Sequence, residues 1–225
     1  MPRSPSDDLE FGPEVVPHLR EAVYDLSWLR TRGYSERAAV TLVGDRFQLT
    51  ARQRQAVQRG ACSDVEREAR WVRRRRDVNG CRVAVDGFNA LISLEQAFDG
   101  GPLFRGRDGV LRDVAGRGGA WQRHGRTGDA IMALRGALAG ASEVVWLLDA
   151  PVKNSGRLAQ ILRRTGVRQV EVVASPDRLL VGFDGVIVSG DGPLLSRCQA
   201  WFPAVDEALP GGAWVVDLGG GGLSG

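Results

Sequence analysis

The chain of 225 residues contains one lysine, Lys153, two histidines and three cysteines. Cys62, Cys81 and Cys198 are odd in number and show no Cys-x-x-Cys spacing. That excludes a disulfide framework and a zinc site of the usual kind, and it fits a reduced cytoplasmic setting. All three read as packing residues. No run of 18 apolar residues occurs, so no membrane span and no membrane partner are expected. Met1 to Pro13 is polar and acidic, without the charged-then-apolar order of a secretory signal. A cytoplasmic protein is the resulting expectation.

Arginine carries nearly all the positive charge. A GC-rich genome explains that preference on its own, but the distribution is informative. Residues 30–76 hold 13 Arg against 5 acids, whereas residues 81–225 balance at 15 basic and 15 acidic. A basic segment of this kind favours a polyanion, most commonly nucleic acid; the plain alternative is a solvated Arg-rich helix. With 43% hydrophobic and 25% charged residues, the chain can bury one core, or one core and a small satellite.

Residues 1–13 carry Pro, Ser and Asp and are expected to be disordered. Residues 14–78 read as an Arg-rich helical module. Apolar positions at Val15, Leu19, Val23, Leu26 and Leu29 have helical spacing. Gly33 ends that helix, and Ser35 caps a second one that Gly44 and Asp45 break. Thr50 and Gln53 form a capping box for a third helix, closed by Gly60. Ser63 and Glu66 form another for a fourth, ending in Arg73-Arg74-Arg75-Arg76. Trp71 beside that run is a candidate stacking residue or a core residue. The segments 35–43 and 50–59 have the loose spacing of a helix-turn-helix. A module gripping a nucleic-acid backbone and a structural cap are the other readings.

From 81 to 218 strands alternate with helices: an α/β class with a parallel sheet sandwiched by helices and right-handed crossovers. The expected strands are Arg82 to Asp86, Val144 to Asp149, Gln169 to Ala174, Gly185 to Val188 and Ala213 to Val216. A hairpin with a two-residue turn at Asp108-Gly109 is expected between Leu103 and Val114. Leu194 to Trp201 is expected to be helical and the tail 219–225 flexible.

Three of these strands run into an aspartate: Asp86, Asp149 and, two residues past its strand, Asp191. In an open parallel sheet the carboxyl ends lie along one edge, where ligands bind. Converging carboxylates repel one another unless hydrated, protonated or bridged by a cation. Mg²⁺ or Mn²⁺ answers that need with oxygen ligands and waters left for a substrate phosphate. The plain alternative is that each aspartate caps the following helix. Asn89 and Ser189 are candidate partners of these carboxylates. Lys153 and Ser155, at the start of a helix, are candidate phosphate contacts. Arg112 either touches substrate or pairs locally, and Arg73, Arg74, Arg75 and Arg76 are candidate backbone contacts. His124 sits in a Gly/Arg-rich loop and is a weaker candidate. No G-x-G-x-x-G or Walker-type loop occurs.

Val85-Asp86-Gly87-Phe88-Asn89-Ala90-Leu91 resembles the first strand and turn of PIN-like and NYN nuclease domains, and Val188-Ser189-Gly190-Asp191-Gly192 resembles their later strand end. Across roughly residues 20–217 the chain resembles the family catalogued as domain of unknown function 434. The resembling stretches are Asp25-Leu26 to Tyr34, Leu42 to Arg46, Val85 to Leu91 with Glu95, Asp108-Gly109 with Arg112-Asp113, Asp149 to Pro151 with Ser155-Gly156, and Ser189 to Asp191. The resemblance implies a PIN-like domain, metal held by Asp86 with Asn89 orienting it, and ribonuclease chemistry on RNA. The alternative is a non-catalytic nucleic-acid-binding or regulatory protein. PIN-like proteins often pair, so a homodimer is open. PIN nucleases usually carry a fourth acid; here Glu95, Asp113, Asp129 and Asp184 are the candidates.

Overall fold

The computed structural model describes residues 4–114, 121 and 125–220. The N-terminal part is helical: α1 (Asp7–Phe11), α2 (Val16–Thr31), α3 (Glu36–Arg46), α4 (Ala51–Gly60) and α5 (Asp64–Trp71). Both capping boxes form. Thr50 accepts from the Gln53 amide and Gln53 returns the bond, and Ser63 and Glu66 do the same. Ser35 caps α3 through the Ala38 amide.

The expectations differ from the structure at three places here. Gly44 does not break α3, which continues to Arg46; a Cβ at Gly44 would lie 2.2 Å from the Arg54 guanidinium, so packing selects the glycine. Residues 7–11 are helical rather than disordered, because Phe11 is fully buried and meets Phe104 edge-on at 4.7 Å, while Asp7 pairs with Arg52 at 2.5 Å. The fourth helix stops at Trp71, before the Arg run. Arg73 to Arg75 is extended and pairs with Trp201: the Arg75 amide donates to Trp201 O (2.8 Å) and the Trp201 amide to Arg73 O (2.9 Å).

The C-terminal part contains β1 (Arg82–Asp86), α6 (Gly87–Phe98), β2 (Leu103–Arg105), β3 (Leu111–Arg112), α7 (Thr127–Ala137), β4 (Glu143–Asp149), α8 (Ser155–Arg164), β5 (Gln169–Val173), α9 (Pro176–Val181), β6 (Val186–Val188), α10 (Gly192–Leu195), β7 (Ala200–Trp201), α11 (Ala204–Glu207) and β8 (Val215–Asp217). Five strands form an all-parallel sheet in the order β5-β4-β1-β6-β7. From β1 the chain winds outward through β4 to β5, then returns to β6 on the other side of β1. The ends of β1 and β6 therefore form the point where the winding reverses, the usual place for a ligand crevice.

Side-chain alternation assigns the two faces. Val83, Val85, Trp146, Leu148, Val186 and Val188 pack with α6, α7 and α8. Ala84, Val145, Leu147 and Ile187 pack with α9, α10 and Trp201. A Cβ on Gly87 would come within 2.5 Å of Leu148 Cδ2, so the first residue of α6 must be small for the helix to leave β1 this close to β4.

Two further expectations change. Leu194 to Trp201 is not one helix: α10 ends at Leu195, and β7 follows as an edge strand. The last strand is Val215–Asp217, and it joins a separate three-stranded sheet, β3-β2-β8. The β2–β3 connection spans 106–110 instead of two residues, with Gly109 at φ 75°. One face of this small sheet completes the helical part. Phe104, Val114, Val216 and Leu218 share a core with Phe11, Leu19, Leu26 and Val57. Packing therefore crosses the 78–81 boundary that the charge distribution suggests.

Candidate active site at the carboxyl edge of the parallel sheet

Asp86 ends β1, Asp149 ends β4, and Ser189 follows β6. Asp86 continues the parity of Ala84, Asp149 that of Val145 and Leu147, and Ser189 that of Ile187, so all three belong to one sheet face. Across the winding reversal Ser189 Oγ donates to Asp86 Oδ2 at 2.8 Å. Asp86 is only 8% exposed. Burial pushes its carboxyl up to about 7; the Ser189 hydroxyl opposes this, and the neighbouring Asp149 and Asp177 carboxylates reinforce it.

The loop that follows β6 is held from several sides. Asn89 Oδ1 accepts from the Gly190 amide at 2.5 Å, and Ser189 Oγ accepts from the Asp191 amide at 3.1 Å. Asp191 Oδ1 accepts from the Leu194 amide at 3.1 Å and caps α10. The alternative role for strand-end aspartates is therefore filled by Asp191; the Asp86 side chain forms no full cap on α6, although the Asn89 backbone N–H in its first turn helps Ser189 oppose the rise.

Two buried guanidiniums grip the same loop. Arg112 Nε donates to Gly190 O (2.7 Å), and Arg70 Nε donates to Gly192 O (3.1 Å) and Ser196 Oγ (2.9 Å). Both converge on Asp108, Arg112 through two bonds of 2.9 and 2.6 Å and Arg70 through one of 2.7 Å. Asp108 is 3% exposed. Although burial alone would raise its carboxyl, Arg112 and Arg70 hold it at about 2. Arg112 is therefore buried and paired locally, with Asp108 and Gly190 O. A Cβ on Gly192 would lie 2.7 Å from the Arg70 guanidinium, so this glycine makes room for the clamp. Sequence reading missed Arg70 and Asp108 as members of this arrangement. Nothing local marks them, since Arg70 lies 38 residues from Asp108 and 122 from Gly192.

Among the described residues no three His, Cys, Asp or Glu side chains gather as a group able to hold a metal ion. Neither Glu95 nor Asp113 completes such a group. Glu95 is buried on α6 and accepts from the Thr127 hydroxyl of α7. Asp113 Oδ2 accepts from Ser93 Oγ at 2.8 Å, and Oδ1 faces Arg59 at 3.3 Å. Lys153 is exposed on the loop after β4, its carbonyl accepting from the Trp121 amide at 3.3 Å; Ser155 is buried as the first residue of α8. His124 lies outside the described residues.

The basic segment also looks different once folded. Arg30 pairs with Glu66, Arg46 with Asp25, Arg52 with Asp7 and Glu10, Arg54 with Asp45, Arg59 with Asp113 and Arg70 with Asp108. Most of the excess charge is thus spent internally. The exposed run Arg74 to Arg76 is not. Arg73, Arg74 and Arg75 lie with Arg82 by the amino-terminal starts of β1, β6 and β7, at the opposite end of the sheet from Asp86. Trp71 is 40% exposed and not a core residue. Burial pushes the Cys62 and Cys198 thiols up to about 11, as suits inert packing residues.

Residues 75–207 match the family model described as Domain of unknown function (DUF5616), which covers more than half of the chain. The chain belongs to this family. Residues 18–73 match a second model, Protein of unknown function (DUF434). The resemblance to the 434 family is thus carried by the helical part, and the α/β part has a family of its own. No PIN-like or nuclease family is identified. The chain is similar to Uncharacterized protein MJ0935 of Methanocaldococcus jannaschii, 30% identical over 148 residues, covering 64% of this chain and 71% of that protein. No solved structure matches. The junction between the two family models falls within the Arg run. No helix among the described residues is long and apolar enough to cross a membrane.

Proposed function

We propose that this DUF5616 protein is a PIN-like, divalent-metal-dependent nuclease acting on RNA, centred on Asp86 and Asp149. One observation carries the reading: two aspartates end neighbouring parallel strands on one sheet face, beside the winding reversal, with Ser189 donating to the first. An all-parallel sheet with Asp at the end of its first strand and Ser-x-Asp after a later one supports the PIN-like assignment.

Two carboxylates fit Mg²⁺ or Mn²⁺, which binds through one or two carboxylates and completes its shell with waters and substrate phosphate oxygens. Such an ion supplies charge compensation for a phosphodiester and lowers the pKa of a bound water. Asp86 and Asp149 would hold it. Ser189 engages Asp86 Oδ2, and Asn89, Arg70 and Arg112 hold the 189–192 loop. In this reading Lys153 and the amino terminus of the ten-residue α8 would take a substrate phosphate.

The second reading is a nucleic-acid-binding protein without cleavage, favoured by the lack of a three-acid group among the described residues. The deciding experiment incubates the purified protein with single-stranded and structured RNA in Mn²⁺, in Mg²⁺ and in chelator. Cleavage that needs the ion and falls roughly 100-fold or more in Asp86→Asn and Asp149→Asn supports the nuclease. RNA binding with no cleavage under any ion supports the second reading. Cleavage unchanged in both variants sinks the assignment of the site.

A further inference from the structure

At the amino-terminal end of the sheet lies a cavity of about 370 Å³, lined by Arg73, Arg74, Arg75, Arg82, Asp184 and Gln199, with the exposed Val72 and the buried Val186 as apolar parts of the lining. Its volume falls in the range of small-ligand sites. Four arginines and one carboxylate, that of Asp184, contribute to the lining. Arg73 is tied down by bonds to Cys198 O (2.9 Å) and Ala69 O (2.7 Å), and Arg82 by Glu143 at 2.8 Å. Gln199 Oε1 accepts from the Gly185 amide at 3.0 Å. Arg74 and Arg75 are exposed and make no ion pair among the described residues; Arg74 stands over the Trp201 ring at 5.8 Å. Their backbone is fixed by pairing with β7. The result is a fixed backbone holding two exposed guanidiniums that form no ion pair among the described residues.

We propose that this cavity is a second ligand site, distinct from the carboxyl-edge crevice, that binds the phosphate groups of a nucleotide. Guanidinium forks match phosphate oxygens in pairs, which explains arginine here in place of lysine. The apolar lining from Val186 and Ala200 suits a sugar or base and is wasted on inorganic phosphate. The site is about the length of β1 from Asp86, five residues or roughly 13 Å, so it does not depend on the nuclease reading.

Two probes test it: a fluorescent ADP analogue and a labelled eight-nucleotide RNA, titrated by anisotropy into the full chain, wild type and Arg74→Gln/Arg75→Gln. The expected result is at least tenfold weaker binding in the double variant. For the RNA, the slope of log affinity against log salt should also flatten by about 1.4. Binding of ADP alone identifies a free nucleotide as the occupant, and binding of RNA alone identifies a strand; either supports the site. Arg37→Gln, an exposed arginine on α3 that belongs to neither site, should bind as wild type does. Binding of neither probe, or equal affinity in wild type and double variant with matching circular dichroism spectra, overturns the proposal.

Discussion

Asp86 and Asp108 are both nearly buried, yet their surroundings drive them in opposite directions. Asp108 lies where α5 meets the β2–β3 connection, and two guanidiniums hold it ionised at about 2. Asp86 lies buried at the edge of the parallel sheet, where the Ser189 hydroxyl and the Asn89 backbone N–H do not offset burial and two neighbouring acids, and its carboxyl rises to about 7. No ion pair to Asp86 forms among the described residues. The fold thus satisfies the charge at its internal joint and leaves the charge at its crevice incompletely compensated. The first pattern belongs to a structural fastening, and the second to a group kept for a ligand or a proton.

The sharpest way to break this comparison is Asp108→Asn. It strands Arg70 and Arg112 in the interior, and unfolding by urea should show a loss of about 3–5 kcal/mol. A loss below about 1 kcal/mol would mean that the clamp is not the fastening described. Asp86→Asn should act in the opposite sense. The folded carboxyl titrates near 7 and the unfolded one near 3.8, so the wild type loses stability as pH rises between these values. In chelator at pH 8 the variant should therefore be more stable by on the order of 3 kcal/mol, an advantage that shrinks toward zero at pH 4; an unchanged difference across that range contradicts the assignment.

Asp108 has the reverse linkage. Its folded carboxyl is depressed, so its contribution is complete above about pH 4 and disappears as the pH falls toward 2. Acid titration of wild type against Asp108→Asn should reveal a converging difference, on the order of 2 kcal/mol of the total. The smallest effect is expected for Ser189→Ala, about 1 kcal/mol at pH 8, where the hydroxyl serves an ionised Asp86. That cost should be smaller at pH 5, and carbon-detected NMR should show the Asp86 carboxyl titrating higher still.

Much of the local architecture was legible in the residues. Ser35, Thr50 and Ser63 announce helix starts because capping is a contact over three residues. The apolar runs before Asp86 and Asp149 announce strands buried on both faces. The Ser189–Asp86 pairing was also within reach, since a parallel sheet brings strand ends together. Less legible was α1, where one phenylalanine among polar residues anchors the segment, and β7, a two-residue strand in a stretch of helical composition.

By itself the sequence determined the alternation of strands and helices, the parallel sheet and the position of Asp86 and Asp149 at strand ends; the expected three-acid group does not form among the described residues. The first three depend on side-chain period and on contacts between near neighbours. Only the tertiary structure decided which arginines face water. Arg70 and Arg112 are consumed by Asp108, and Arg52 by Asp7 and Glu10, while Arg74 and Arg75, at the far end of the sheet, form no ion pair among the described residues. Every arginine is the same cation in the sequence. Its partner is chosen by distances that exist only after residues tens to more than a hundred positions apart have been packed together.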